Sequence, residues 1–135
     1  MPAKDRLHDV VVRALRKDGW SIKTEQAAII LPERRLWIDI QAEKKPQRLM
    51  ILVEVKGFEH MPSPVEYLAA AVGKYALYRA ALDFLKIHMP LYMAVPIFAY
   101  NGILSEEVGK QTLQRVGIRL IVFDPELEEI IAWID

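Results

Sequence analysis

Two apolar, alternating segments that carry charge on one face constrain this chain most. Arg35, Trp37, Asp39 and Gln41 alternate with Leu36, Ile38 and Ile40, while Leu52, Glu54 and Lys56 alternate with Ile51, Val53 and Val55. A strand sends successive side chains to opposite faces. Asp39 and Gln41 therefore share one face of their strand, and Glu54 and Lys56 share one face of theirs. Lys44 to Arg48, with Pro46, reads as a polar hairpin connection between them. If the two strands pair, two carboxylates and an ammonium converge, as is needed to hold a divalent cation and activate a water beside a phosphodiester.

The flanking sequence surrounds this pair with helices. Asp5 is a plausible N-cap for a first helix in which Leu7, Val10, Val11, Ala14 and Leu15 recur at helical spacing, with Gly19 as its stop. A short strand over 20–23 and another over 27–31 are expected next, then a turn at Pro32-Glu33-Arg34. The strand through Glu54 should end at Gly57. Ser63, Pro64 and Glu66 combine a cap, a first-turn proline and a capping box. They predict a long helix to about Leu85, with Val65, Leu68, Ala69, Val72, Tyr75, Ala76, Arg79 and Leu82 along one side. Leu91 to Val95 is apolar on both sides and reads as a buried strand. Ser105-Glu106-Glu107 opens a third helix ended by Gly117, followed by a strand over 118–123 and a short one over 129–133. The order predicts a single α/β domain over residues 1–135, a mixed central sheet with flanking helices.

Composition narrows the chemistry. The chain has 135 residues, enough to bury a core, and 53% are apolar, which excludes disorder. It has no cysteine, so disulfides, thiol catalysis and Cys-based zinc sites are excluded, and a reducing cytoplasmic location fits. No apolar run approaches membrane-spanning length; the longest, around 91–100, is interrupted by Pro96. Residues 1–60 carry 12 Lys/Arg and 9 Asp/Glu, a net of +3, and residues 61–135 carry 6 and 9, a net of −3. The balance is unlike that of a protein coating DNA. Contact with nucleic acid would be local, transient, or shared with a partner that supplies positive charge.

The chemistry rests on Asp39, Glu54 and Lys56. Mg²⁺ prefers oxygen ligands and keeps several waters, so Asp39, Glu54 and the Val55 carbonyl suffice as its protein ligands. Lys56 would then point at the attacking water or the phosphate. An ordinary strand pair with a solvated face and a Glu54–Lys56 ion pair would leave the same pattern. His8 and Asp9 on the first helix are accessory candidates, as ligand or proton relay, against their reading as the exposed flank of an amphipathic helix. Lys74 and Arg79 could face phosphate beside Tyr75 and Tyr78, or be an exposed charged flank. Arg34, Arg35, Lys44, Lys45 and Arg48 flank the hairpin as phosphate contacts near Asp39 or as a solvated edge. There is no Gly-rich phosphate loop, nucleophilic Ser or Cys arrangement, or aromatic ladder for single strands. His60 and His88 lack metal-ligand spacing.

An ordered set of segments resembles the cyanobacterial fdxN-element excision controlling factors of the XisH type. It comprises Met1 to Asp5, His8-Asp9, Asp18-Gly19-Trp20, Asp39, Ala42-Glu43, Val53 to Lys56, Gly73-Lys74-Tyr75 with Tyr78, and Leu120 to Pro125. The resemblance spans nearly the whole chain and implies a restriction-endonuclease-like fold of the PD-(D/E)xK superfamily. It places Asp39 and Glu54 as metal-binding acids, Lys56 as the catalytic lysine, and Asp9 as the nearest first-helix acid. It further implies programmed DNA excision beside a site-specific recombinase and an XisI-type companion. Two positions depart from the pattern: Ile38 stands before Asp39 in place of proline, and Lys74 stands where the family has glutamine.

Three readings follow. The first is an excision controlling factor on a nuclease-like fold, with Mg²⁺-dependent DNA cleavage. The second is an inactive interaction subunit working through a partner, and the third a toxin–antitoxin-like or defence nuclease. Exposed Tyr and Met residues, Met61, Met89 and Met93 among them, suit a homodimer or partner contact.

Overall fold

The computed structural model describes residues 5–135. Met1 to Lys4, part of the motif set above, lie outside the described residues. Helix α1 (His8–Lys17) precedes three strands, β1 (Ser21–Ile30), β2 (Arg35–Lys44) and β3 (Leu49–Val55). Helix α2 (Pro64–Phe84) leads to β4 (Leu91–Pro96). A short α3 (Ile97–Asn101), a 3-10 turn (Ile103–Ser105) and α4 (Glu107–Val116) lead to β5 (Arg119–Asp124) and β6 (Glu129–Ile134).

The six strands form one mixed sheet in chain order. β1, β2 and β3 are antiparallel neighbours, β3–β4 and β4–β5 are parallel, and β6 returns antiparallel to β5. Parallel neighbours need crossovers, and α2 and the α3–α4 segment supply them. Both crossovers pack on one face of the sheet. Leu68, Tyr75, Tyr78, Leu82, Ile103 and Leu104 meet Leu52, Leu91, Met93, Val95, Leu120 and Val122 there. Helix α1 covers the other face, where Leu7, Val11, Val12 and Leu15 meet Ile40, Val53, Val55, Ala94, Ile121 and Phe123. Strand β4 lies between the two layers, so every one of its residues is buried. That accounts for its continuous apolar run.

The helix signals behave as expected at α2. Ser63 Oγ accepts the Glu66 N–H at 3.4 Å and Pro64 opens the helix. The expected buried face is rotated, however. Leu68, Ala71, Tyr75, Tyr78, Ala81 and Leu82 face inward, while Val65, Ala69 and Ala76 are exposed. Small and apolar residues surround this helix on all sides, so periodicity alone does not select its inner face. Gly117 ends α4 at φ 75, the left-handed position open to glycine.

The two short strands expected over 20–31 are one strand, β1. A bulge at Ile22/Thr24 absorbs the polar stretch, so the edge strand bends instead of ending. Residues 97–105 add helix α3 and the 3-10 turn where no helix was expected, because Pro96 ends β4 and can open a helix. Met93 is buried at 1% exposure and offers nothing to a partner. Among the described residues no helix is long and apolar enough to cross a membrane.

Candidate active site

The site forms where β2 leaves β3. Their pairing ends at Ile40↔Val53, while β3 stays paired to β4 through Val55↔Ala94 and the Lys56 N–H to the Ala94 carbonyl. Ile38 lies in the α2-side core although Ile40, two residues on, lies on the α1 side. Regular alternation would put both on one face, so the strand twists away here. The parting strands would strand backbone N–H groups in the interior, at a cost of about 1–3 kcal/mol each. Side chains supply the missing partners. The Asp39 N–H donates to Glu54 Oε1 at 2.9 Å, and the Val55 N–H donates to Asp39 Oδ2 at 2.8 Å. Each carboxylate thus caps the other strand.

Both acids are buried, Asp39 at 6% and Glu54 at 2% exposure. Each has one oxygen left over. Asp39 Oδ1 accepts a long hydrogen bond from Gln26 Nε2 at 3.4 Å. Glu54 Oε2 is buried without a well-directed hydrogen bond, and Lys74 Nζ from α2 compensates its charge at 3.3 Å. Burial pushes the Glu54 carboxyl up to about 7, the Asp39 charge adds to the rise, and Lys74 opposes it. The Lys74 ammonium is pulled down by its own burial, but the carboxylates and Tyr78 outweigh this and leave it above its ordinary value. Its Nζ also lies 5.4 Å from the Tyr78 ring centroid.

Lys56 follows on the same strand, half-buried. Burial and then the Lys74 charge lower its pKa, against the pull of Glu54, Asp39 and Asp5. Among the described residues its ammonium makes no hydrogen bond or ion pair, so the alternative of a Glu54–Lys56 bridge does not describe this strand: Glu54 pairs with Lys74 instead. The Val55 N–H points toward β2, and the carbonyl of the same residue in a strand points the same way. Asp39, Glu54, Val55, Lys56 and Lys74 are therefore gathered at one place.

The remaining candidates lie elsewhere. His8, 1% exposed on α1, is bonded through Nε2 to Glu25 Oε1 at 2.7 Å. One ligand atom each from His8, Asp9 and Glu25 lie within 4.8 Å of one another. That cluster faces α1, across the sheet from Glu54 and Lys74. Asp5 approaches the Lys56 end of β3, accepting the Gly57 N–H through Oδ2 at 3.0 Å. The basic residues form no single patch. Arg34 and Arg35 sit at one end of β2 and Lys44, Lys45 and Arg48 at the other, roughly 30 Å apart along a strand of this length. Lys44 is drawn to Asp18 at 3.6 Å and lies 5.3 Å from the Trp20 ring centroid. Arg79 pairs with Asp83. Gln26 was not a sequence candidate. Its φ of 56, in the left-handed region, offered no signal in a run read as two strands.

Comparison with known proteins defines the class. The sequence matches the family described as XisH protein over residues 1–131, and the chain belongs to that family. The fold is similar to the crystal structure of an XisH family protein from Nostoc punctiforme, with a TM-score of 0.89 and 32% identity over 97% of this chain and 100% of the other. It is equally similar to an fdxN element excision controlling factor protein from Anabaena variabilis, with a TM-score of 0.89 and 32% identity over 96% of this chain and 98% of the other. No curated protein matches the chain.

Proposed function

We propose that this chain is a DNA-element excision controlling factor that assists site-specific recombination through a nuclease-type site of the restriction-endonuclease-like, PD-(D/E)xK kind. The observation that carries this is the mutual capping of Asp39 and Glu54 where β2 and β3 part. It leaves Asp39 Oδ1 and Glu54 Oε2 beside each other's charge, and the second of these has no well-directed donor. Two acids with unfinished oxygens fit a hard divalent cation such as Mg²⁺, with the Val55 carbonyl as third protein oxygen. When bound, such a cation would lower the pKa of its water and offset charge on a phosphodiester.

The chain's own residues supply the rest. Asp39 and Glu54 would hold such a cation, each steadied by a backbone N–H bonded to one of its oxygens. Lys56, in no ion pair among the described residues, would orient a water or a phosphate oxygen. Arg34 and Arg35 at one end of β2, and Lys44 and Lys45 at the other, suit separate backbone contacts along a duplex rather than one patch. The family resemblance supports an XisI-type companion, a recombinase and a cytoplasmic setting.

Charge balance and an exposed apolar face favour the second reading, an inactive interaction subunit. Leu77 and Phe84 are 56% and 66% exposed around a groove that Leu31 and Leu36 also line. The deciding experiment purifies the chain with its genomic neighbours and assays duplex DNA cleavage with and without Mg²⁺. Cleavage that needs Mg²⁺ and disappears in Glu54→Gln supports the nuclease reading. Recombination assistance that survives Glu54→Gln supports the interaction reading.

A further inference from the structure

We propose that Lys74 is a built-in rival for the cation: its ammonium holds the charge position at Glu54 Oε2, and a divalent metal enters only when Lys74 leaves. This rests on the two-carboxylate site described above and adds a residue that sets its affinity. Glu54 has one oxygen to offer, because Oε1 accepts the Asp39 N–H. Lys74 Nζ stands 3.3 Å from the remaining Oε2. A hard cation bonds carboxylate oxygen at about 2.1 Å, so ammonium and metal on the same oxygen would be in like-charge contact.

Lys74 is able to leave. Its side chain is 32% exposed, so it reaches solvent. The nearby Tyr78 ring face keeps it close when it does not. The two lysines thus differ in kind. Lys74 makes the ion pair with Glu54, whereas Lys56, among the described residues, makes no hydrogen bond or ion pair and feels only the pull of Glu54, Asp39 and Asp5.

The test measures Mn²⁺ binding to the full chain by the electron paramagnetic resonance of the free ion, with thermal melting alongside. Lys74→Gln, Lys74→Arg, Glu54→Gln and the Lys74→Gln/Glu54→Gln double variant are compared with wild type. Glutamine suits a helix about as well as lysine does, and circular dichroism checks each fold. Lys74→Gln is expected to bind Mn²⁺ at least about tenfold more tightly, or about 1.4 kcal/mol. Lys74→Arg, which keeps the charge, should stay near wild type, and Glu54→Gln should abolish binding in both backgrounds. Equal or weaker binding by Lys74→Gln, with binding still dependent on Glu54, would overturn the rivalry and leave the site standing. Binding indifferent to Glu54, or none in either wild type or Lys74→Gln at millimolar Mn²⁺, would overturn both.

Discussion

Glu54 should make this protein less stable as the pH rises through neutrality. In the unfolded chain its carboxyl ionises at an ordinary value near 4.5, whereas in the fold it keeps its proton up to about 7. Between those values the folded state binds more protons than the unfolded state, so stability falls with rising pH across that window and the loss is complete above it. At about 1.4 kcal/mol per pH unit the loss amounts to roughly 3 kcal/mol. For a chain of this length that is a drop in Tm on the order of 10 °C. Glu54→Gln removes the ionisation and keeps an oxygen for the Asp39 N–H. Its lost attraction to Lys74 belongs to the ionised state of Glu54, so it enters the same window. The assay is thermal melting of both proteins from pH 5 to pH 8 in a metal-free buffer. The gap between their curves should move in favour of Glu54→Gln by about that amount. Saturating Mn²⁺ should flatten the wild-type slope alone, since a ligand of the folded state stabilises by mass action. Parallel curves for the two proteins would refute the reasoning, because a buried acid crowded by Asp39 cannot ionise without cost.

Other substitutions probe how the site is held. The Tyr75 hydroxyl donates to the Leu91 carbonyl at 2.7 Å in the core. Tyr75→Phe should therefore cost about 1–3 kcal/mol in urea unfolding, the penalty for an orphaned carbonyl. A Cβ at Gly109 would overlap the Ile103 carbonyl oxygen and stand 2.9 Å from Leu104 Cα. Gly109→Ala should lower stability by about 1–3 kcal/mol despite the better helix propensity of alanine, read from the same unfolding curves. A Cβ at Gly57 would meet Asp5 Oδ1 at 2.6 Å. Gly57→Ala should push that carboxylate off the Gly57 N–H and raise amide exchange at the start of α1, at a cost of about 1 kcal/mol.

How much could be read in advance depended on whether a signal was local. Asp39 and Glu54 were visible because each sat on its own alternating segment with a polar hairpin between. The start of α2 was visible because Ser63, Pro64 and Glu66 lie within one turn, and the end of α4 because Gly117 alone marks it. The Lys74–Glu54 pair was hidden because it joins residues twenty apart through the rotation of α2, whose apolar surface on all sides leaves that rotation unmarked. Gln26 was hidden because a left-handed backbone within a bulged edge strand has no composition of its own. The basic cluster shows the converse error: five positive residues close in sequence were read as close in space, whereas a ten-residue strand carries them to opposite ends.

Asp39 and Glu54 cannot by themselves tell a working site from a relic. Each has a structural task, since each caps a backbone N–H that the parting strands expose. Selection for stability alone would retain both. Lys56 is the discriminating residue. It is half-buried, its ammonium lies near that of Lys74, and burial lowers its pKa, yet among the described residues it makes no hydrogen bond or ion pair. Its burial and the nearby Lys74 charge cost stability, and the pull of Glu54, Asp39 and Asp5 offsets only part of that, since the ammonium stays below its ordinary pKa. Lys56→Met keeps the aliphatic stem and removes that cost, so its folding stability should match or exceed wild type by up to about 1 kcal/mol. If the site works, the same substitution should slow Mg²⁺-dependent DNA cleavage at least about a hundredfold, the usual loss of a positioned electrostatic group. A Lys56→Met protein that is as stable as wild type and cleaves as fast would remove Lys56 from the chemistry. One that is markedly destabilised would show that the lysine has a structural role the fold does not reveal.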